Sequence, residues 1–332
     1  MSQRGMTHVG GSVRMLAALA ALGATLVSGL VGCGGEAGRA ASASATIPRS
    51  TTSEARPRPS APYPLQTIER TFVDSSRPTA AGAVTPAATT RTLRTVITYP
   101  DVSGPLPLIV LSHGLGGLPE QLSKLASAWA AAGFVVARPA FPLTDARNHG
   151  RNAGDVVNQP KDVSFVIDRM LAENATSGSP VHGRIDPTHI GVAGHSLGGA
   201  TTYGVTFAPC CRDQRITATI ILSGLRLIDA GKEEFDHAVP ILVIHGTQDV
   251  TLNYQLDVDA YAALHAPKWF ITLLGAGHSP PYVDADSPWD DLVTRSTIDF
   301  WQAELGGDRS KLTQLQTDAV VDNLSTLQSV PG

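Results

Sequence analysis

GVAGHSLGGA, residues 191–200, reads as the end of a buried strand, a tight turn Gly194-His195-Ser196-Leu197-Gly198, and the start of a helix. The pattern is G-x-S-x-G, a sharp strand-to-helix turn that projects a serine hydroxyl from the end of a sheet. Glycine is needed two residues before and two after the serine because neighbouring backbone comes too close for a Cβ. The turn also aims the backbone N–H of Leu197, at the mouth of the helix, toward negative charge forming on a bound molecule. The motif alone is a weak signal in a chain with 32 glycines. Its flanks strengthen it: they are apolar and small before Ser196, small and helix-compatible after it.

Three further strand ends carry polar residues in a matching order. PLPLIVLSHGLGG (105–117) is an apolar strand entering a glycine-rich turn, where the residue after His-Gly, Leu115, is placed to offer a second backbone N–H. VPILVIHGTQD (239–249) ends on Asp249, and KWFITLLGAGH (268–278) ends on His278. Serine, then aspartate, then histidine along the chain is the α/β-hydrolase order of a nucleophile, an orienting acid and a base. Ser196 needs a base within hydrogen-bond reach to become nucleophilic. His278 is expected to take its proton, Asp249 to fix the tautomer of His278, and Leu115 and Leu197 to form the oxyanion hole.

Other polar residues have plainer readings. His113 and His195 lie inside the turns and are expected to orient them; His245 ends a strand and is expected to be packed; His149 and His237 fall in loops. Asp257 and Asp259 compete with Asp249 for the acid but fall on a helical stretch where exposure is the default, and Asp284, Asp286, Asp290 and Asp291 read as a solvated loop and helix start. No His/Cys/Asp grouping has metal-ligand spacing, so neither a metal nor a cofactor is expected.

The chain of 332 residues is 42% hydrophobic and 16% charged, with a formal net charge of −4, which suits one larger α/β domain. No basic patch argues for nucleic acid. Strands are expected at 66–73, 93–99, 108–112, 134–138, 189–193, 216–222, 241–244 and 269–274, and helices at 120–132, 161–173, 196–205, 253–264 and 291–305. Continuous apolar strands alternating with helices predict a mostly parallel sheet of about eight strands covered on both faces. Too few residues separate Ser223 from Pro240 for a large cap domain, and the polar segment 139–159 is expected to wall the site. Leu115, Leu118, Phe141, Leu197, Leu225 and Tyr282 are expected to make it apolar. The catalytic domain is expected over 65–305, with 306–332 a peripheral helix and tail. Cys210 and Cys211 are expected to be buried thiols, because a bridge between neighbours strains the intervening peptide; a vicinal or intermolecular bridge is the alternative.

The N-terminus has a different logic. Arg4 and Arg14 precede an apolar stretch, 15–30, too short to span a membrane, then Leu-Val-Gly-Cys at 30–33. Residues 1–32 are expected to be a lipoprotein-type signal peptide and Cys33 the lipidated first residue of the mature chain; the alternative is an ordinary signal peptide. Buried acyl chains, at about 0.8 kcal/mol per methylene, would anchor it to the extracytoplasmic face of a membrane. Residues 33–64, rich in Ala, Ser, Thr and Pro, are expected to be a flexible tether with a reach of roughly 30 Å.

SHGLGG (112–117) and AGHSLGGA (193–200) resemble the α/β-hydrolase superfamily, and within it the plasma-type platelet-activating-factor acetylhydrolases and the neighbouring dienelactone-hydrolase, chlorophyllase and bacterial polyester-hydrolase branches. The similarity covers roughly residues 65–305. It implies a serine carboxylester hydrolase with Ser196, Asp249 and His278 as its triad, acting on esters with apolar acyl groups of lipid or polymer type. Dienelactone hydrolases proper carry cysteine at the elbow, so Ser196 argues against that substrate. The rival readings are an amidase or peptidase using the same triad, and a non-catalytic tethered binding protein on a hydrolase fold. A monomer is the default expectation.

Overall fold

Six consecutive parallel strands form the centre of the computed structural model, which describes residues 63–148, 151–227, 235 and 237–332. The expected signal peptide, Cys33 and all but the last two residues of the expected tether lie outside the described residues.

The strands are β1 (Leu65–Asp74), β2 (Arg91–Pro100), β3 (Leu106–Ser112), β4 (Val135–Pro139), β5 (Ile185–His195), β6 (Ile216–Leu222), β7 (Ile241–Gly246), β8 (Lys268–Leu273) and β9 (Ser325–Val330). Their order across the sheet is β1-β2-β4-β3-β5-β6-β7-β8-β9, parallel from β4 to β8 and antiparallel at both edges. This is the α/β-hydrolase fold, and no cap domain is seen among the described residues. β3, β6, β7 and β8 are almost wholly buried because both faces are covered, which is why they read as unbroken apolar runs. β1 is different: its half-exposed, charged pattern LQTIERTFVD closes one edge of the sheet.

The helices are α1 (Ser123–Ala131), α2 (Gln159–Ala175), α3 (Leu197–Phe207), α4 (Gln255–Ala263), α5 (Asp290–Glu304) and α6 (Lys311–Asp318). Side chains alternate along β3: Leu108 and Val110 pack with α2, α3 and α4, whereas Ile109 and Leu111 pack with α1 and α5. β3 lies between β4 and β5, so successive connections leave it in opposite directions. That switch point opens a crevice at the carboxyl ends of β3 and β5, where such sheets bind ligands.

Two expectations need correction. The segment 306–332 is not a peripheral tail: it forms α6 and then β9, a ninth strand paired with β8 along its whole length. Leu315 and Ala319 are fully buried beneath it, so the segment completes the core on that side. Cys210 and Cys211 are joined by a disulfide rather than held as buried thiols. They sit just after α3, where Cys210 is exposed and Cys211 only partly covered, so burial does not keep them apart.

The wall segment after β4 is fixed by charge. Arg91 at the start of β2 is buried and donates to Asp155 at 2.6 Å and to Asp162 at 2.6 Å, tying the short 3-10 turn Ala153–Asn158 and α2 to the sheet. Breaking such a buried pair from one side typically costs about 3–5 kcal/mol.

Candidate active site

β5 ends at His195 and α3 begins at Leu197, leaving Ser196 as the turn itself, at φ 58° and ψ −120°. A non-glycine residue held there stores strain of about 1–3 kcal/mol, which the surroundings must over-determine. They do so by close approach. A Cβ on Gly194 would lie 2.0 Å from the carbonyl oxygen of Gly198, and one on Gly198 would lie 2.2 Å from that of Ser112. The end of β5, the start of α3 and the end of β3 therefore pack backbone against backbone.

The structure brings Ser196, His278 and Asp249 into one hydrogen-bonded line. Ser196 Oγ lies 2.8 Å from His278 Nε2, and His278 Nδ1 lies 2.6 Å from Asp249 Oδ2. The carboxylate cannot donate, so Nδ1 carries the proton and Nε2 is free to accept from the serine hydroxyl. Asp249 Oδ1 accepts the N–H groups of Thr251 and Leu252, both at 2.8 Å. Burial pushes the Asp249 carboxyl up. Hydrogen bonds from His245, His278 and Leu252 outweigh it and hold the group well below the usual carboxylate range.

Leu115 and Leu197 flank Ser196. Gly114, just before Leu115, packs so near that its added Cβ would fall 2.9 Å from the Cβ of Ser196. The carbonyl of Gly114 accepts from His113 Nδ1 at 2.7 Å and from Gly117 N at 3.0 Å. In a trans peptide the following N–H points the opposite way, so these bonds set the direction of the Leu115 N–H. The carbonyl of Ser196 likewise accepts from Gly199 N at 2.8 Å, turning the Leu197 N–H out of the helix end, where no intrahelical acceptor exists. The N–H groups of Leu115 and Leu197 are thus the candidate oxyanion donors.

His113 and His195 orient these turns. Phe141 N donates to His113 Nε2 at 3.2 Å, which places the His113 proton on Nδ1; burial pushes its pKa down and keeps it neutral. His195 is pushed down to about 3, first by burial and then by the nearby His278. It donates from Nε2 to the His278 carbonyl at 3.0 Å, bracing the loop that carries His278.

The apolar lining differs from expectation. Leu197 and Leu225 cluster with Val156, Leu252 and the partly buried Cys211, and Leu115 is exposed. Phe141 and Tyr282 belong to the core instead: Phe141 packs on the His113 ring, and the Tyr282 hydroxyl donates to the Ile244 carbonyl at 3.1 Å.

Two polar residues matter more than their sequence reading suggested. His245 and Asp257 are both fully buried, 2.8 Å apart, and His245 also reaches Asp249 at 3.1 Å. Asp257 is therefore buried, not exposed as its place on a helical stretch predicts. The signal against that was present: Asp257 shares one face with Ala260, Tyr261 and Leu264, the face α4 buries. Among the described residues, no group of three or more His, Cys, Asp or Glu side chains is placed to hold a metal.

An uncharacterized protein of Mycobacterium tuberculosis, matched in two strains, is 26% identical to this chain over 206 residues, covering 55% of this chain and 67% of its own length. The stretch from β2 to just beyond the His278 turn, residues 93–280, matches the dienelactone hydrolase family. That span is more than half of the chain and holds every residue of the elbow, so the chain belongs to the dienelactone hydrolase family and is a hydrolase on the α/β-hydrolase fold.

Proposed function

We propose that this hydrolase is a serine carboxylester hydrolase working through an acyl-enzyme. Ser196 attacks the ester carbonyl while His278 takes its proton. The tetrahedral oxyanion is held by the N–H groups of Leu115 and Leu197, and His278 then protonates the leaving alcohol. Water, deprotonated by the same imidazole, releases the acid. Asp249 keeps His278 in the productive tautomer and stabilises the imidazolium. The reading is carried by one observation, the 2.8 Å and 2.6 Å contacts linking Ser196 Oγ, His278 and Asp249 Oδ2. Serine in place of cysteine at the elbow, with apolar Leu197, Leu225 and Leu252 clustered beside it, favours lipid or polyester acyl groups over a charged dienelactone.

A fluorophosphonate probe is expected to label the purified protein, and Ser196→Ala to abolish labelling; labelling that survives Ser196→Ala ends the nucleophile assignment. A matched ester and amide panel separates the esterase from an amidase or peptidase. The cellular role is proposed to be exported and membrane-tethered through Cys33, on the strength of the Leu-Val-Gly-Cys sequence alone. Cys33→Ser should move the protein out of the membrane fraction, and an unchanged distribution would refute the anchor.

A further inference from the structure

His245 lies beyond Asp249 as seen from His278, fully buried at the end of β7. Every polar partner of its ring is an oxygen acceptor. Nδ1 faces Asp257 Oδ2 at 2.8 Å; Nε2 faces Asp249 Oδ2 and the Leu252 carbonyl, each at 3.1 Å. A neutral imidazole has one N–H and one lone pair, so it would set that lone pair against one of these oxygens. The carboxylates are the poorer holders of the missing proton, because N–H and O–H donors on both oxygens of each favour the charged form. Asp257 Oδ1 takes the Tyr203 hydroxyl at 3.0 Å and Oδ2 the Gly224 N–H at 2.9 Å. Asp249 takes two backbone N–H groups on Oδ1 and His278 on Oδ2. The extra proton therefore sits on His245.

We propose that His245 is a buried imidazolium at neutral pH, clamped between Asp249 and Asp257, and that it is a positioning residue that sets the charge His278 feels. The proposal rests on the serine-hydrolase reading for its kinetic consequence, though not for the charge itself. Two carboxylates and one imidazolium leave the cluster with a single negative charge. Without the cation, His278 would face two, would hold its proton more tightly and would be a base over a narrower pH range. The other groups packed around the cluster do not take over this task. Tyr254 lies nearly perpendicular to the His245 ring, with centroids 5.8 Å apart; Tyr203 reaches it through Asp257; His195 is kept neutral by burial; and Tyr282 is bonded to Ser223 and Ile244. The balance of forces on the ring agrees: burial pushes His245 down, but the bonds to Asp249 and Asp257 outweigh it and carry it up to about 9.

Two measurements test this. In histidine-15N-labelled full-length protein at about pH 7.5, both ring nitrogens of His245, assigned by through-bond correlation to its own backbone, should show the protonated long-range 1H–15N pattern. A ring with one bare nitrogen overturns the proposal. Recording the same spectrum in Ser196→Ala makes the result independent of turnover, so a failed nucleophile assignment and a failed imidazolium are told apart. For kinetics, His245→Gln should move the acid limb of kcat/KM upward by about one pH unit. Adding Asp257→Asn restores the single negative charge and should bring the limb back toward the wild-type position. A purely structural role would lower rates in both variants without this reversal. A limb that stays put in the single variant, or moves further in the double, overturns the proposal; should a variant not fold, the spectrum of the unaltered protein decides.

Discussion

Gly114 lies where the oxyanion turn meets the elbow, and an added Cβ would sit 2.9 Å from the Cβ of Ser196. Ser196 cannot retreat, because its φ of 58° is locked by the backbone packing of Gly194 and Gly198 on either side. Gly114→Ala should therefore shift the Leu115 N–H by a few tenths of an ångström relative to the serine oxygen. Loss of one oxyanion donor typically costs about 10²–10³ in kcat, so partial misalignment should cost roughly 10–100-fold in kcat with little change in KM. Steady-state kinetics on a soluble ester would check this; a fall in KM-dependent binding alone would contradict it. The polar residues gathered at this site differ in how legible they were. Ser196, Asp249 and His278 each sit in the turn that follows an apolar strand, at the carboxyl edge of the sheet, so the sequence pointed at them directly. His245 and Asp257 hid because a histidine closing a strand and an aspartate on a helix have ordinary explanations. For Asp257 the face shared with Ala260, Tyr261 and Leu264 was the available sign; for His245 only the pairing in space, across α4 and β7, is distinctive.

At the level of elements, all eight expected strands appear, seven of them largely buried runs and β1 a charged edge strand, and the ninth does not follow from such a run. STLQSV in β9 alternates half-buried and exposed residues at a sheet edge, a pattern too short and polar to separate from a tail. Its partner choice is set by α5 and α6, which fold the chain back beside β8. That return leaves a cost. Asp299 on α5 is buried, its Oδ2 has no hydrogen-bond partner, and Lys311 on α6 is 3.5 Å from Oδ1. Burial pushes the Asp299 carboxyl up to about 6, the neighbouring Asp318 on α6 adds to the rise, and Lys311 opposes it. An acid whose folded pKa exceeds its unfolded value of about 3.9 loses stability as pH rises between the two, so the charged form weighs on the fold above pH 6. Asp299→Asn should stabilise the protein by about 1–2 kcal/mol near pH 8 and by almost nothing near pH 4. Denaturant midpoints at the two pH values would show it; an equal gain at both would mean that charge is not the cause.

Above about pH 6.5 the stability of the whole molecule responds to the cluster at the carboxyl ends of β6 and β7. His245 contacts β7, the Asp249 turn and α4, and through Asp257 it reaches α3 and the Gly224 turn after β6. Its proton is therefore held by the fold rather than by a single neighbour. The folded pKa, about 9, lies above the unfolded value of about 6.5. The native state thus binds more protons than the unfolded chain between these values. The resulting stability is complete below about pH 6.5 and is lost as pH rises toward 9, amounting to about 3 kcal/mol for a buried group shifted this far. Asp249 works in the other direction: its lowered pKa gives stability that is present above the unfolded value near 4 and lost on acidification. Thermal stability should accordingly peak between about pH 5 and 7 and decline measurably by pH 9. In His245→Gln the variant should be less stable at pH 6, and the decline from pH 6.5 to 9 should largely vanish, since no proton remains to be lost there. Melting curves across that range would read both effects. A variant that keeps the full alkaline decline would place its source elsewhere in the molecule and detach the stability of the sheet from the charge of the site.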